Sequence, residues 1–313
     1  MKRMTLPDNA TLREVGLRDG LQMVGQILPT QTKLDWCRQQ AACGFSEIEV
    51  TSFVPPSSIP QFSDAAEVLE GAKAFGGFTA AVLVPNLRGG IRALERGADK
   101  ITFVLSASEA HNMSNVRRPT DASATEFEDL VTERDARGLK GKVALSAVIA
   151  TAFGCSIQGE VAEDRVLALS ERLAAAGADE LNIADTVGYG NPLQVRRVFA
   201  AIDRLVGPLP LAAHFHDTRG MGLANVMAAV DVGVRRFDAA LGGLGGCPFA
   251  PGATGNIATE DCAYLLESIG LNTGIDFERL LELRAKLEEW LPGERIEGRL
   301  KQAGLAKTFL SAA

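Results

Sequence analysis

Short apolar runs alternate with amphipathic segments along most of the chain. Eight runs read as strands: Leu12–Asp19, Glu47–Ser52, Phe78–Val84, Lys100–Ser106, Lys142–Ala150, Glu180–Thr186, Leu211–Asp217 and Arg235–Leu241. Between them, segments such as QTKLDWCRQQAACG, DRVLALSERLAAAGA and NPLQVRRVFAAIDRLVG carry apolar residues at i, i+3 and i+4, the spacing of a helix with one buried face. Several of these end on glycine, as helix C-termini often do. Eight strand–helix alternations in roughly 270 residues fit a (β/α)8 barrel better than an open doubly wound sheet. The expected architecture is an α/β TIM barrel over residues 1–270, with a charged helical extension over 271–313 packed on it. No Pro/Ser linker, low-complexity tract or charge block marks a second domain.

Composition narrows the function classes. Of 313 residues, 46% are hydrophobic and 23% charged, which describes a globular chain that can bury a sizeable core. Lys and Arg number 32 against 39 Asp and Glu, a net charge of −7 that argues against a sequence-independent nucleic-acid binder. Any anionic substrate must be met by local charge. The longest mainly apolar stretch, Val143–Cys155, is too short to span a bilayer, and the N-terminus has no apolar core long enough for a secretory signal. A soluble, cytoplasmic protein is expected, with no membrane partner. Five widely spaced cysteines without a C-x-x-C pair disfavour a disulfide framework and a structural zinc site.

Active sites of such barrels form where strands end, so polar residues there are the ones to collect. Strand 1 ends with Arg18 and Asp19, strand 2 carries Glu49, strand 3 leads to Asn86, and strand 4 leads to Ser106, Ser108 and Glu109. Strand 6 ends with Asp185, and strand 7 carries His214 and His216 and ends with Asp217. Residues i and i+2 of a strand project to one face, so the two histidines of HFHD, two of only three in the chain, either form a buried pair satisfied by hydrogen bonds or bind one ion. Asp19 can complete that site, and imidazoles with oxygen ligands suit Mg²⁺ or Mn²⁺. Arg18 either pairs with Asp19 or clamps a developing oxyanion. Glu49 and Asp185 are acidic groups in apolar strands, either transferring a proton or holding Arg18 or a histidine in place, because unpaired buried carboxylates are costly. Arg117 and Arg118 read as a solvated surface pair, with the phosphates of an anionic ligand as the other reading.

The loop after strand 8, LGGLGGCPFAPGATGN, holds six glycines, Cys247 and Asn256. A phosphate cradle fails on spacing, since Pro248 occupies the third glycine position of G-x-G-x-x-G. Cys247 is either an inert small residue or a thiol carried over a bound substrate as proton donor.

Together, VGLRDGLQ, EVTSFVPPSSIPQ, VLVPNLRG, ASEAHN, ADTVGYG, HFHDTRGMGLAN and GLGGCPFAPGATGNIATED resemble 3-hydroxy-3-methylglutaryl-CoA lyase, of the metal-dependent barrel lyases, in order from about Val15 to Gly274. The resemblance implies cleavage of 3-hydroxy-3-methylglutaryl-CoA to acetyl-CoA and acetoacetate, with a divalent metal as cofactor and a homodimer. It implies that Asp19, His214, His216 and Asn256 bind the metal, that Arg18 stabilises the thioester enolate and that Cys247 protonates it. Glu49 and Asp185 would support the site; the base is His214 or Asp19. Asn86, Ser106 and Ser108 are the candidates for binding the coenzyme A thioester. The glycines then read as hinges for the cysteine loop.

Met23, Val24 and Gly25 follow RDGLQ where the family commonly has Asn-Glu and often a nearby lysine, and Arg219 and Met221 also depart from the animal version. These departures open the acyl group to a related substrate such as citramalyl-CoA. A condensing transferase of the isopropylmalate or homocitrate synthase type shares the Arg-Asp and H-x-H features. Such enzymes normally carry a long C-terminal regulatory region and lack this cysteine loop. Carboxylating or aldolase relatives and a non-catalytic binding barrel complete the alternatives.

Overall fold

A computed structural model of the protein describes residues 9–246 and 255–309. Eight parallel strands, β1 (Thr11–Glu14), β2 (Glu47–Ser52), β3 (Thr79–Val84), β4 (Lys100–Ser106), β5 (Ala144–Ala150), β6 (Glu180–Asp185), β7 (Leu211–Phe215) and β8 (Arg236–Ala239), close in sequence order into a barrel. The helices around it are α1 (Thr30–Ala42), α2 (Ala65–Phe75), α3 (Leu87–Glu95), α4 (Glu109–Val116), α5 (Thr120–Ala136), α6 (Glu163–Ala176), α7 (Pro192–Val206), α8 (Gly222–Asp231) and α9 (Thr259–Ser268). Two more follow, α10 (Phe277–Trp290) and α11 (Leu300–Ala303). The expected TIM barrel is the observed fold. Among the described residues, no helix is long and apolar enough to cross a membrane.

Period-2 alternation sorts each strand into two faces. Ile48, Ile101, Phe103, Leu105, Leu145, Ile149, Leu181, Ile183, Phe215 and Phe237 are fully buried and form the apolar layer that receives the helices. Their alternate neighbours face the barrel interior and are largely polar. Arg13 Nε donates to Asp238 Oδ1 at 2.6 Å and Arg13 Nη1 to Glu180 Oε1 at 2.5 Å. Lys100 Nζ lies 2.8 Å from both Glu47 and Glu180, and Arg236 reaches Glu180 at 2.7 Å. Burial would raise the Glu180 carboxyl, but Arg13 and Lys100 overrule it and hold it below its ordinary range.

Strand 1 is shorter than expected. It stops at Glu14, and Gly16–Gly20 coil into a π-helical turn in which the N–H groups of Arg18, Asp19 and Gly20 all approach Val15 O. A side chain at Gly16 would start 2.6 Å from Glu14 Oε1, so the tight turn needs glycine there. Strands 7 and 8 also end early, at Phe215 and Ala239, and strand 5 begins at Ala144.

The tail returns to the barrel. Ala10 N donates to Asn272 O, Asp276 N donates to Cys43 O, and Asp276 caps α10, which packs on α1 and α9. Glu14 ties the end of β1 to the segment after β8: it accepts from the N–H groups of Gly16 (2.8 Å) and Leu241 (3.0 Å) and from Thr259 Oγ1 (2.7 Å). Burial pushes its carboxyl up to about 7, although these three donors pull it down.

Two expectations follow for stability. Glu180→Gln leaves Arg13 and Lys100 short of compensation inside the barrel and is expected to cost about 3–5 kcal/mol in denaturant unfolding; a loss below roughly 1 kcal/mol would show that the ion network is not what the barrel depends on. Glu14 has a folded value above its ordinary 4.5, so the folded chain binds this proton more tightly than the unfolded chain. Its stabilisation is complete below pH 4.5 and is lost as pH rises through 7, an effect on the order of 3 kcal/mol. Urea unfolding of the wild type and Glu14→Gln at several pH values across this window checks it. The wild type should lose ground relative to the variant as pH rises, and parallel profiles would refute it.

Candidate active site

A cavity of about 300 Å³ opens at the C-terminal ends of the strands, lined by Arg18, Asp19, Glu49, Asn86, Asn182, His214, His216, Asp238 and Gly246 among others. Its size suits a small acyl group. Arg18 and Asp19 are delivered by the π-helical turn after β1, His214 by β7, and His216 by the residue position just beyond it. His216 is held by a bridge to Asn256, and the neighbouring bridge of Ala240 to Ala258 lays this returning segment beside β7 and β8. Asn256, three-quarters of the way along the chain from Asp19, thereby arrives next to it.

Asp19, His214 and His216 each offer a ligand atom within 4.8 Å of the others. The two Nε2 atoms face Asp19 Oδ2, at 3.9 Å for His214 and 3.4 Å for His216, and the rings lie 5.1 Å apart. Asn256 Nδ2 donates to the same Asp19 oxygen at 2.7 Å. Asn256 Oδ1 is buried and has no partner among the described residues, an acceptor left for a cation or a water to satisfy. This donor set, two imidazoles with carboxylate and amide oxygen and an open cavity side, fits a catalytic divalent ion.

Electrostatics hold the first group in its ligand form. Burial would raise the Asp19 carboxyl, but Arg18 and the two imidazoles bring it well below its ordinary value. Burial would lower the His214 imidazole, and the hydrogen bond to Asp238 with the charge of Asp19 raises it instead. Arg18 is gripped by Glu49 through Nε and by Asp19 through Nη1; its Nη2 makes no hydrogen bond to a described residue. Glu49 therefore holds Arg18, one of its two expected roles.

Other expected residues behave differently. Asp185 does not reach Arg18 or a histidine with its side chain; its carboxylate accepts the N–H groups of Tyr189 (2.8 Å) and Gly190 (2.9 Å) and shapes the turn after β6, while its backbone carbonyl receives His216 N–H. Ser106 and Ser108 are fully buried and do not line the cavity. Ser106 Oγ pairs with His111 Nδ1 at 2.7 Å, and Ser108 Oγ caps α4 and contacts Cys155 and Gln158. Asn86 lines the cavity while its side chain caps α3. Arg117 and Arg118 both line the cavity, Arg117 exposed and Arg118 paired with Glu126. Cys247 lies outside the described residues; its neighbour Gly246 lines the cavity.

The sequence reading missed Asp238 and Asn182. Asp238 Oδ2 lies 3.1 Å from His214 Nδ1 and accepts Asn182 Nδ2 at 2.7 Å. Asn182 stands three residues before the end of β6 and Asp238 one before the end of β8, both outside the expected site positions. Their signal was the period-2 polar register shared with His214.

Comparison with known proteins agrees with this geometry. The HMGL-like family matches residues 9–287. Hydroxymethylglutaryl-CoA lyase of Bacillus subtilis is 41% identical over 286 residues, 91% of this chain and 94% of that protein. The cytoplasmic 3-hydroxy-3-methylglutaryl-CoA lyase of Rattus norvegicus is 39% identical, across 88% of this chain and 80% of that protein. The solved structure of an HMG-CoA lyase from Acinetobacter baumannii in complex with coenzyme A and 3-methylmalate has a TM-score of 0.90 at 42% identity, covering 96% of this chain and 97% of that one. This chain belongs to the HMGL-like family.

Proposed function

We propose that this protein is a divalent-metal-dependent carbon–carbon lyase that cleaves 3-hydroxy-3-methylglutaryl-CoA to acetyl-CoA and acetoacetate. The observation that carries this reading is the convergence of Asp19, His214 and His216 on one point of the cavity. Identity of about 40% to lyases of this substrate supports the choice of acyl group.

The reaction removes the proton of a tertiary hydroxyl, breaks the C2–C3 bond and leaves its electron pair on a thioester enolate, which a proton then quenches. Asp19, His214, His216 and Asn256 would hold a divalent ion such as Mg²⁺ or Mn²⁺, which when bound lowers the pKa of the hydroxyl and orients the substrate. Of the two expected acceptors for the hydroxyl proton, His214 would give its one lone pair, on Nε2, to the ion, so Asp19 is the acceptor compatible with the metal-bound site. Arg18 has its charge fixed by Glu49 and Asp19 on one side, and its Nη2 is left for the enolate oxygen. A donor held in place before the charge develops costs no reorganisation when it does. Arg117, exposed at the cavity rim, gives an acidic protein local positive charge for the anionic tail of a coenzyme A thioester.

Cys247 donates the final proton in this reading. Support comes from the two stems of its loop: Gly246 lines the cavity, and Asn256 on the other side touches Asp19. Both ends of the segment are therefore pinned at the reacting centre.

Acetyl-CoA release from a panel of 3-hydroxyacyl-CoA thioesters, citramalyl-CoA included, tests the assignment. 3-Hydroxy-3-methylglutaryl-CoA should be cleaved only with Mg²⁺ or Mn²⁺ present, and chelation should abolish turnover. If no thioester is cleaved while a 2-oxo acid condenses with acetyl-CoA, the lyase reading is wrong. Cys247→Ala should lower kcat by about 10²–10⁴-fold with Mn²⁺ binding retained; near-normal turnover would make Cys247 a packing residue.

A further inference from the structure

We propose that Asp238 is the positioning residue that presets His214 as a metal ligand, and that Arg13 and Asn182 fix Asp238 for that task. The inference rests on the metal-binding reading above. Asp238 and His214 are direct cross-strand partners of β8 and β7, so their side chains project to the same interior face.

The hydrogen-bond inventory leaves the pair one arrangement. Asp238 Oδ1 is taken by Arg13 Nε at 2.6 Å and by Arg13 Nη2. Asp238 Oδ2 is taken by Asn182 Nδ2 at 2.7 Å, and His214 Nδ1 meets the same oxygen at 3.1 Å. A guanidinium and an amide nitrogen only donate, so Asp238 can only accept, and His214 Nδ1 must carry the hydrogen. The lone pair then sits on Nε2, the atom that faces Asp19. Arg13 is itself immobilised by Glu180 at 2.5 Å and is 4% exposed, so the carboxylate cannot turn away. His216 lacks this arrangement: its Nδ1 is buried without a partner among the described residues. One imidazole of the pair is preset by the barrel interior, and the other is not.

Carboxylate partners of ligating histidines typically change metal affinity 10–100-fold when removed. Asp238→Asn keeps the shape but must point an NH₂ group at either His214 or Arg13, favouring the wrong tautomer. Asp238→Ala removes the acceptor without adding a donor. Mn²⁺ titration followed by the EPR signal of the free ion should therefore show Kd raised about 10–100-fold in Asp238→Asn, and by less in Asp238→Ala. A role in packing alone predicts the reverse order, and either that order or an unchanged Kd in both variants overturns the proposal. If neither variant folds, ¹⁵N-histidine NMR of the unmodified protein with Mg²⁺ decides it, three histidines being few enough to resolve. The His214 signal, identified by its loss in His214→Gln, should report Nδ1–H; Nε2–H would overturn the proposal. Failure of the wild type to bind Mn²⁺ would sink the metal-dependent reading itself, a result distinct from variants that bind as well as the wild type.

Discussion

Charge buried inside the barrel has to be neutralised where it stands, and Arg13 is the side chain through which most of it is. Asp238, Glu180 and Glu47 surround its guanidinium, and Glu47 and Glu180 are shared with Lys100. Each strand contributing to this layer has one register that keeps its charged residue inside and its Ile, Leu or Phe neighbours under the helices. A one-residue slip would place Glu180 or Lys100 in the apolar layer, at a cost of several kcal/mol per ion. The polar interior thus enforces the strand register that also brings His214, Glu49 and Arg18 to one mouth. Above the ions, Ala81, Ala150 and Ala184 line the cavity and leave room that larger interior side chains would fill.

The site stands on this layer through two carboxylates with parallel duties. Asp238 links Arg13 below to His214 above, and Glu49 holds Arg18 from the side. In both cases a buried acid is satisfied by a cation while its geometry fixes a group that faces the cavity. Neither acid has to move for the chemistry proposed, so the arrangement suits electrostatic preorganisation. Arg18 differs from Arg13 in keeping a donor uncommitted to described residues and facing the cavity, as the role proposed for it requires.

Much of this was legible from residue order. The eight strands follow from alternating apolar runs, and the H-x-H spacing with Asp19 predicts the cluster that the fold assembles. The ends of strands are harder to place, because β1 gives way to a π-helical turn in which Gly16 packs closely against Glu14, a contact that periodicity cannot report. Ser106 and Ser108 stand at a strand end as expected of site residues, yet their hydroxyls are used by His111, Cys155 and Gln158. Position along a strand says which end a residue is at, but its partners decide whether it faces the cavity. Asp238 shows the converse: it lies before the strand end and touches a histidine of the site. The inward period-2 register, with Arg236 opposite Ala212 and Asp238 opposite His214, carries that information.

The glycines around Cys247 have a reason more specific than freedom to hinge. A side chain at Gly255 would start 2.2 Å from Gly243 O, and one at Gly242, where φ is +65°, would start 2.3 Å from Ile296 Cγ2. The two stems of the loop therefore pass within backbone contact of each other, and the first also presses on the tail of the chain. Gly242 N–H is held by Glu260, which is paired with Arg284 of α10 at 2.9 Å, and Glu297 N–H donates to Gly242 O. Residues far along the chain from the strands thus fix the point from which the cysteine loop departs. Crossed stems of this kind bring Gly246 to the cavity and Asn256 to Asp19 at once. Proximity, which only glycine permits at these positions, joins the two stems beside the Asp19, His214 and His216 cluster.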